Sequence, residues 1–230
     1  MPAANSRPAL PLLLSLNAGF VDTAGFLALQ GLFTAHVTGN FVTLGASLVF
    51  GTSGAVAKLL ALPVFCLVVI LTRLISSALL RLNRPALTVI LSLKVVFLVA
   101  GAVLAVRLGP FVDGDAWQAV VTGMVLVAAM AIQNAAHRIH LGTAPPSTLM
   151  TGTTTQIMID LADMVHAPSV ENAPAPSARL LAMSTNIVVF AAGCAAAALL
   201  YAHVGVWCFV VPPVLGIVTP FLRATGGRGP

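Results

Sequence analysis

The sequence predicts an all-α integral membrane protein: about six transmembrane helices plus two short re-entrant half-helices, arranged as two inverted repeats. Three observations carry this expectation. The 230-residue chain is 59% hydrophobic and 7% charged, with a mean hydropathy of +1.03, a composition that no soluble core of this size needs. Apolar runs long enough to cross a bilayer recur along it. A Thr-Gly step also occurs twice, in His36-Val37-Thr38-Gly39-Asn40 and in Leu149-Met150-Thr151-Gly152-Thr153. Each time it opens an apolar stretch too short to cross.

Taken in order, the segments long enough to cross are about 9–31, 56–79, 86–107, 117–139, 179–202 and 205–222. Arg7 followed by an apolar run could imitate a signal peptide. No small-residue cleavage site follows, and the run continues through Asp22, so it reads as an uncleaved first span. The short stretches, about 38–50 and 151–165, reach only about 20 Å as helices, against roughly 30 Å of hydrocarbon.

The basic residues decide between crossing and re-entry. If both short helices return to the side they left, and the N-terminus is inside, the inner face carries Arg7, Arg81, Arg84, Arg138, Arg179, Arg223 and Arg228. Arg73 can snorkel there. The outer face keeps Lys58, Arg107 and the acidic loop Asp113-Gly114-Asp115. That is a positive-inside pattern with both termini cytoplasmic. If both short helices crossed, Arg81 and Arg84 would fall outside and the bias would weaken. The first and fourth spans then run in opposite directions, so residues about 1–112 and about 113–230 form an inverted repeat within a single membrane domain.

Each repeat places a polar dipeptide inside its first span, Asp22-Thr23 and Gln133-Asn134. Both half-helices would point their N-termini at the middle of the membrane, offering free N–H groups and roughly half a positive charge each. Thr38 and Thr151 would cap these ends or donate hydroxyl ligands. Gly39 and Gly152 would admit close approach. Asn40, Thr153, Gln133 and Asn134 complete the expected binding set, and the facing helix ends favour a small polar, anionic solute. Asp22 costs about 3 kcal/mol at a helix centre and reads as a proton or cation site, or as the counter-ion of Lys94. Lys94 could equally snorkel to the inner surface.

Other groups read as structural. Asp160, Asp163 and His166, with His137 and His140, could gather at the inner mouth, where solvation is the ordinary outcome. His36 lies beside the first Thr-Gly step. Cys66, Cys194 and Cys208 fall inside apolar spans as packing residues. The small-residue run Ala191–Ala198 marks close helix packing. No metal site, no cofactor and no nucleic-acid partner is expected, since the basic residues form no cluster on a soluble face.

The set Gly19-Phe20-Val21-Asp22, Thr34-Ala35-His36-Val37-Thr38-Gly39-Asn40, Gln133-Asn134-Ala135-Ala136 and Thr151-Gly152-Thr153 resembles the YoaK-like family, classed as a domain of unknown function. The resemblance covers nearly the whole chain. It implies a bacterial inner-membrane protein of about six spans, and it brings neither substrate nor catalytic residues.

The leading expectation is therefore a small secondary transporter, with a homodimer as the expected assembly because six spans provide little scaffold. A pore built on two half-helices is the alternative, although no proline follows Asn40 as it would in an aquaporin-like cap. A non-transporting sensor or assembly protein is a further alternative. An enzyme is not expected: the chain has one tyrosine and neither an H-E-x-x-H nor a G-x-S-x-G motif.

Overall fold

The structure, a computed structural model, describes residues 9–148, 150–166 and 176–224. The described residues form helices α1 (Ala9–Ala28), α2 (Gly39–Phe50), α3 (Ala55–Arg81), α4 (Ala86–Leu108), α5 (Trp117–His140), α6 (Met150–His166), α7 (Pro176–Val204) and α8 (Val211–Ala224). A 3-10 turn, Gly205–Val210, joins α7 to α8. Among the described residues there is no strand. Arg7 and Arg228 lie outside them, as do the side chains of His166 and Arg223.

By length and composition, five stretches are apolar enough to cross a membrane, the last being Ala178–Ile217. The sequence led us to expect six, and the contacts explain the difference. Ser15 Oγ of α1 donates to Asn186 Oδ1 of α7, while Asn17 Nδ2 donates to the Pro212 carbonyl. A continuous helix would separate residues 186 and 212 by about 39 Å. The chain instead folds back at Gly205, whose φ of 55° suits glycine. The single apolar stretch therefore holds two antiparallel passes.

The centre of the bundle is α1 and α5, buried along 67% and 72% of their apolar windows, against 22% for α3 and 11% for the last stretch. Helix α1 packs mainly on α7, α5 on α3 and α4, and α4 on α8. Glycines set the tightest crossing. A Cβ at Gly19 would lie 2.2 Å from the Phe190 carbonyl oxygen, and one at Gly193 2.2 Å from that of Leu16. Small residues let the two backbones touch, as helix association within lipid favours.

Two apolar clusters fill the core. One gathers Leu29, Leu32, Leu98, Leu126, Met130 and Phe209; the other Leu10, Leu14, Ile90, Leu91, Ile132 and Leu141. Three helices also bury a polar residue each: Asn17 in α1, Lys94 in α4 and Gln133 in α5.

Both short helices begin partway down the bundle and return to the end the chain had just left. After α1 the chain turns at Gln30 and Gly31, and the N–H groups of Thr34 and Ala35 reach Asp22 Oδ1, both at 2.7 Å. Asp22 lies six residues before Ala28, about 9 Å back along the helix. Helix α2 then climbs until Gly54 N–H meets Asp115 Oδ2 at 2.9 Å, beside Gln30, whose amide donates to Phe111 O. Asp115 also takes the Val56 N–H, so it supplies the cap that Gly54 cannot give α3. In the second half, Thr148 Oγ1 donates to Asn134 Oδ1, and Gln133 Nε2 donates to Ser147 Oγ at 3.0 Å. Helix α6 then returns to the start of α7, where Arg179 Nε holds Asp160 Oδ2 at 3.0 Å.

Arg81 ends α3, Arg84 lies between α3 and α4, Arg138 is near the end of α5 and Arg179 near the start of α7. Ser76 Oγ and His140 Nε2, 3.0 Å apart, tie the ends of α3 and α5 together. The Asp113–Asp115 loop caps the opposite end.

Candidate solute cavity

Helix α1 carries Asp22 about two thirds of the way along its length, and the loop from Leu32 to Val37 is folded onto that carboxylate. Oδ1 takes three hydrogen bonds, from the Thr34 and Ala35 N–H groups and from Thr34 Oγ1 at 3.3 Å. Oδ2 meets only His36 Nδ1, at 2.6 Å. The two oxygens therefore have separate duties: one fixes the loop, the other faces a titratable ring. The Asp22 side chain is 6% exposed, whereas the His36 ring is 34% exposed. The Thr148 backbone of the second loop lies near the His36 ring.

A cavity of about 440 Å³ opens against this pair. Asp22, Thr23, His36 and Gly39 line its polar side; Phe26, Phe33, Phe190 and Cys194 line the rest. The Phe26 and Phe33 centroids are 4.9 Å apart, and the His36 and Phe190 rings meet edge to face at 5.6 Å. The volume lies within the range of small-molecule pockets, and mostly apolar walls with a few convergent polar groups are the usual composition of such sites.

The expected site residues are distributed differently from the sequence reading. Gly39 lies in this cavity; Thr38, at the start of α2, is exposed, and its side chain makes no cap hydrogen bond. The first N–H groups of α2 are not open to a solute either. Those of Gly39, Asn40 and Phe41 turn onto the carbonyls of His36, Val37 and Thr38, closing a tight first turn. Asn40 is buried and clips both the N–H and the C=O of Phe33, each at 2.8 Å. Thr151 lines a separate, open groove of about 590 Å³ with Thr154, Thr155 and Met158 on the flank of α6. Gly152 is exposed there, with no neighbour within 4 Å of where a Cβ would stand, and Thr153 points inward and is buried.

Gln133 and Asn134 serve the second loop. Gln133 Nε2 also donates to the Leu14 carbonyl, and Asn134 Nδ2 donates to Met130 O. Asp22 and Lys94 do not pair: the loop and His36 take both Asp22 oxygens, while Lys94 Nζ is buried without a hydrogen-bond partner. Nor does Lys94 snorkel, since it is only 1% exposed. Asp160 reaches Gln156 and Arg179 instead of a metal cluster, and His137 Nε2 faces the Ala144 carbonyl at 3.3 Å.

Sequence reasoning missed the partnership of Asp22 with His36 and the three phenylalanines. One signal was present. Asp22 and Phe26 stand four apart on one helix face. Phe190 could not be found this way, because it reaches the cavity only through the α1–α7 crossing.

The chain matches the family described as "Protein of unknown function (DUF1275)" over residues 10–221. It is 36% identical over 170 residues to the UPF0700 transmembrane protein YoaK of Bacillus subtilis (strain 168), covering 70% of each chain. No solved structure matches it.

Proposed function

Since the chain belongs to the DUF1275 family, whose description assigns no function, we propose from its geometry that it is a small secondary transporter for a small polar solute, working as a carrier rather than an enzyme. The observation that carries this reading is the Asp22–His36 pair on the wall of a cavity, held by the loop that starts a short helix. Non-helical backbone at membrane depth is tolerated where it is packed in protein or lines a cavity, and discontinuous helices are where transporters place their sites. A titratable pair that faces such a cavity is the kind of element that coupling to protons requires.

In this reading the halves, about 1–112 and about 113–230, form an inverted repeat. Asp22 with Thr34 in the first corresponds to Asn134 with Thr148 in the second. The protein sits as a homodimer in the cytoplasmic membrane with both termini inside. Exposed apolar residues on the half-helices, such as Val42, Val49 and Val165, suit lipid or the second copy.

Reconstituted protein should take up its solute saturably, with a rate that depends on the proton gradient. Replacement of His36 by Gln should remove the gradient dependence. Uptake indifferent to the proton gradient, or conductance far above carrier rates, would argue for the pore instead.

A further inference from the structure

The anionic solute suggested by two facing helix ends is at odds with the cavity. Its only charged groups are Asp22 and His36, its nearest helix end has already spent its N–H groups, and its remaining walls are three phenylalanines and a cysteine. Resting on the carrier reading, we propose that the solute is a small organic cation, which takes its place at Asp22 Oδ2 in exchange for the proton of the His36 imidazolium.

The charge chemistry supports a carboxylate flanked by aromatic rings as a receptor for a quaternary or protonated amine, held by charge and by the ring faces. Oδ1 is committed to the loop by three hydrogen bonds, so the loop stays folded whatever Oδ2 binds. Oδ2 has one partner, the His36 ring, which is about a third exposed and able to withdraw. The titratable groups facing His36 are Asp22 of α1 and Cys194 of α7, and the second loop presents the Thr148 backbone. With His36 protonated, the imidazolium neutralises Asp22. When an organic cation arrives, the imidazolium releases its proton to water and the cation takes over the carboxylate. One positive charge enters and one leaves, so the exchange is electroneutral. The His36 N–H bond breaks and an O–H bond forms on the accepting water.

The test uses the purified full chain in detergent with benzyltrimethylammonium, guanidinium, acetate, benzoate and phosphate as probes, scored by thermal stabilisation at pH 6 and pH 8. Benzyltrimethylammonium should stabilise, with an apparent affinity about tenfold higher at pH 8, because one proton competes for the site. Asp22→Asn should abolish the effect. Phe190→Leu, which leaves the loop anchor intact, should weaken it about fivefold, so a failure of Asp22→Asn to fold does not shelter the idea. In proteoliposomes an imposed cation gradient should move protons the other way. Stabilisation by an anion, or by a cation equally well in both variants, overturns the cation site. Cation binding that obeys the variants but moves no protons and no cation keeps the site and overturns the carrier.

Discussion

Asp22 shows how much a single carboxylate can organise when its oxygens are used separately. Replacing it with leucine removes the acceptor of two backbone N–H groups at membrane depth, where no water replaces it. Each hydrogen bond to a charged group contributes about 1.5–3 kcal/mol, and the unpaired N–H groups add their own cost. Asp22→Leu should therefore lower the thermal midpoint far more than Asp22→Asn, whose Oδ1 keeps the loop. Equal losses in the two variants would mean that the loop does not depend on that oxygen.

Lys94 makes the opposite case. Its ammonium is buried without a hydrogen-bond partner, as are Asn17 Oδ1, Gln133 Oε1 and His137 Nδ1. An unsatisfied buried donor costs about 1–3 kcal/mol, more when charged. Lys94→Met, of similar length, should raise stability by at least about 1 kcal/mol in chemical or thermal denaturation of the detergent-solubilised protein. A loss of stability would show that the amine has partners within the bundle. The sequence made Lys94 conspicuous but could not reveal its isolation. Two opposite charges in the first and third spans invite pairing on paper, and only the packing discloses that His36 had already taken the place at Asp22.

Among the helices, the short pair was readable from length alone: a run opened by Thr38-Gly39 and closed at Phe50 cannot cross. The manner of its entry was not readable. The descending loop is held by contacts 12 to 14 residues apart, from Asp22 to Thr34 and His36, and these follow no helical or strand period. The doubled-back path has a direct check. Single cysteines at Thr52, Val112 and Asn83, in a chain lacking its own cysteines, should react with a membrane-impermeant maleimide from one side at the first two positions and from the other at the third. Reaction of Thr52→Cys from the side of Asn83→Cys would make α2 a crossing helix.

The α1–α7 crossing gives a second check. Gly193→Ala pushes a methyl group into the Leu16 carbonyl and should cost about 1–3 kcal/mol. Gly45→Ala, on the open face of α2, should be neutral or stabilising by up to about 1 kcal/mol. If the two behave alike in the same denaturation experiment, the crossing is looser than its geometry implies.

In the molecule as a whole, composition and hydropathy were enough to announce a helical membrane protein, and the basic residues anticipated which ends of the helices gather together. The return of α8 was legible as well: the sequence separates a segment at 179–202 from one at 205–222, and the chain turns between them at Gly205. The cavity, by contrast, could not have been assembled from the sequence. It draws Asp22 and Phe26 from α1, Phe33 and His36 from a loop, and Phe190 from a helix made almost at the end of the chain.

That distance in the chain bears on how the protein is made. Helix α1, made before the other described helices, carries Ser15, Asn17, Gly19 and Asp22, and it is the least hydropathic of the five candidate spans, at 1.4 against 2.7 for α4. Its main neighbour, α7, follows 171 residues later, counted from Ser15 to Asn186. At about 5–20 residues per second, α1 waits roughly 10–30 s for the surface that completes it. During synthesis its polar side must be sheltered by the insertion machinery or by the folded loop on Asp22, and nascent chains arrested before α7 should be cleared by membrane proteases far faster than chains arrested after it.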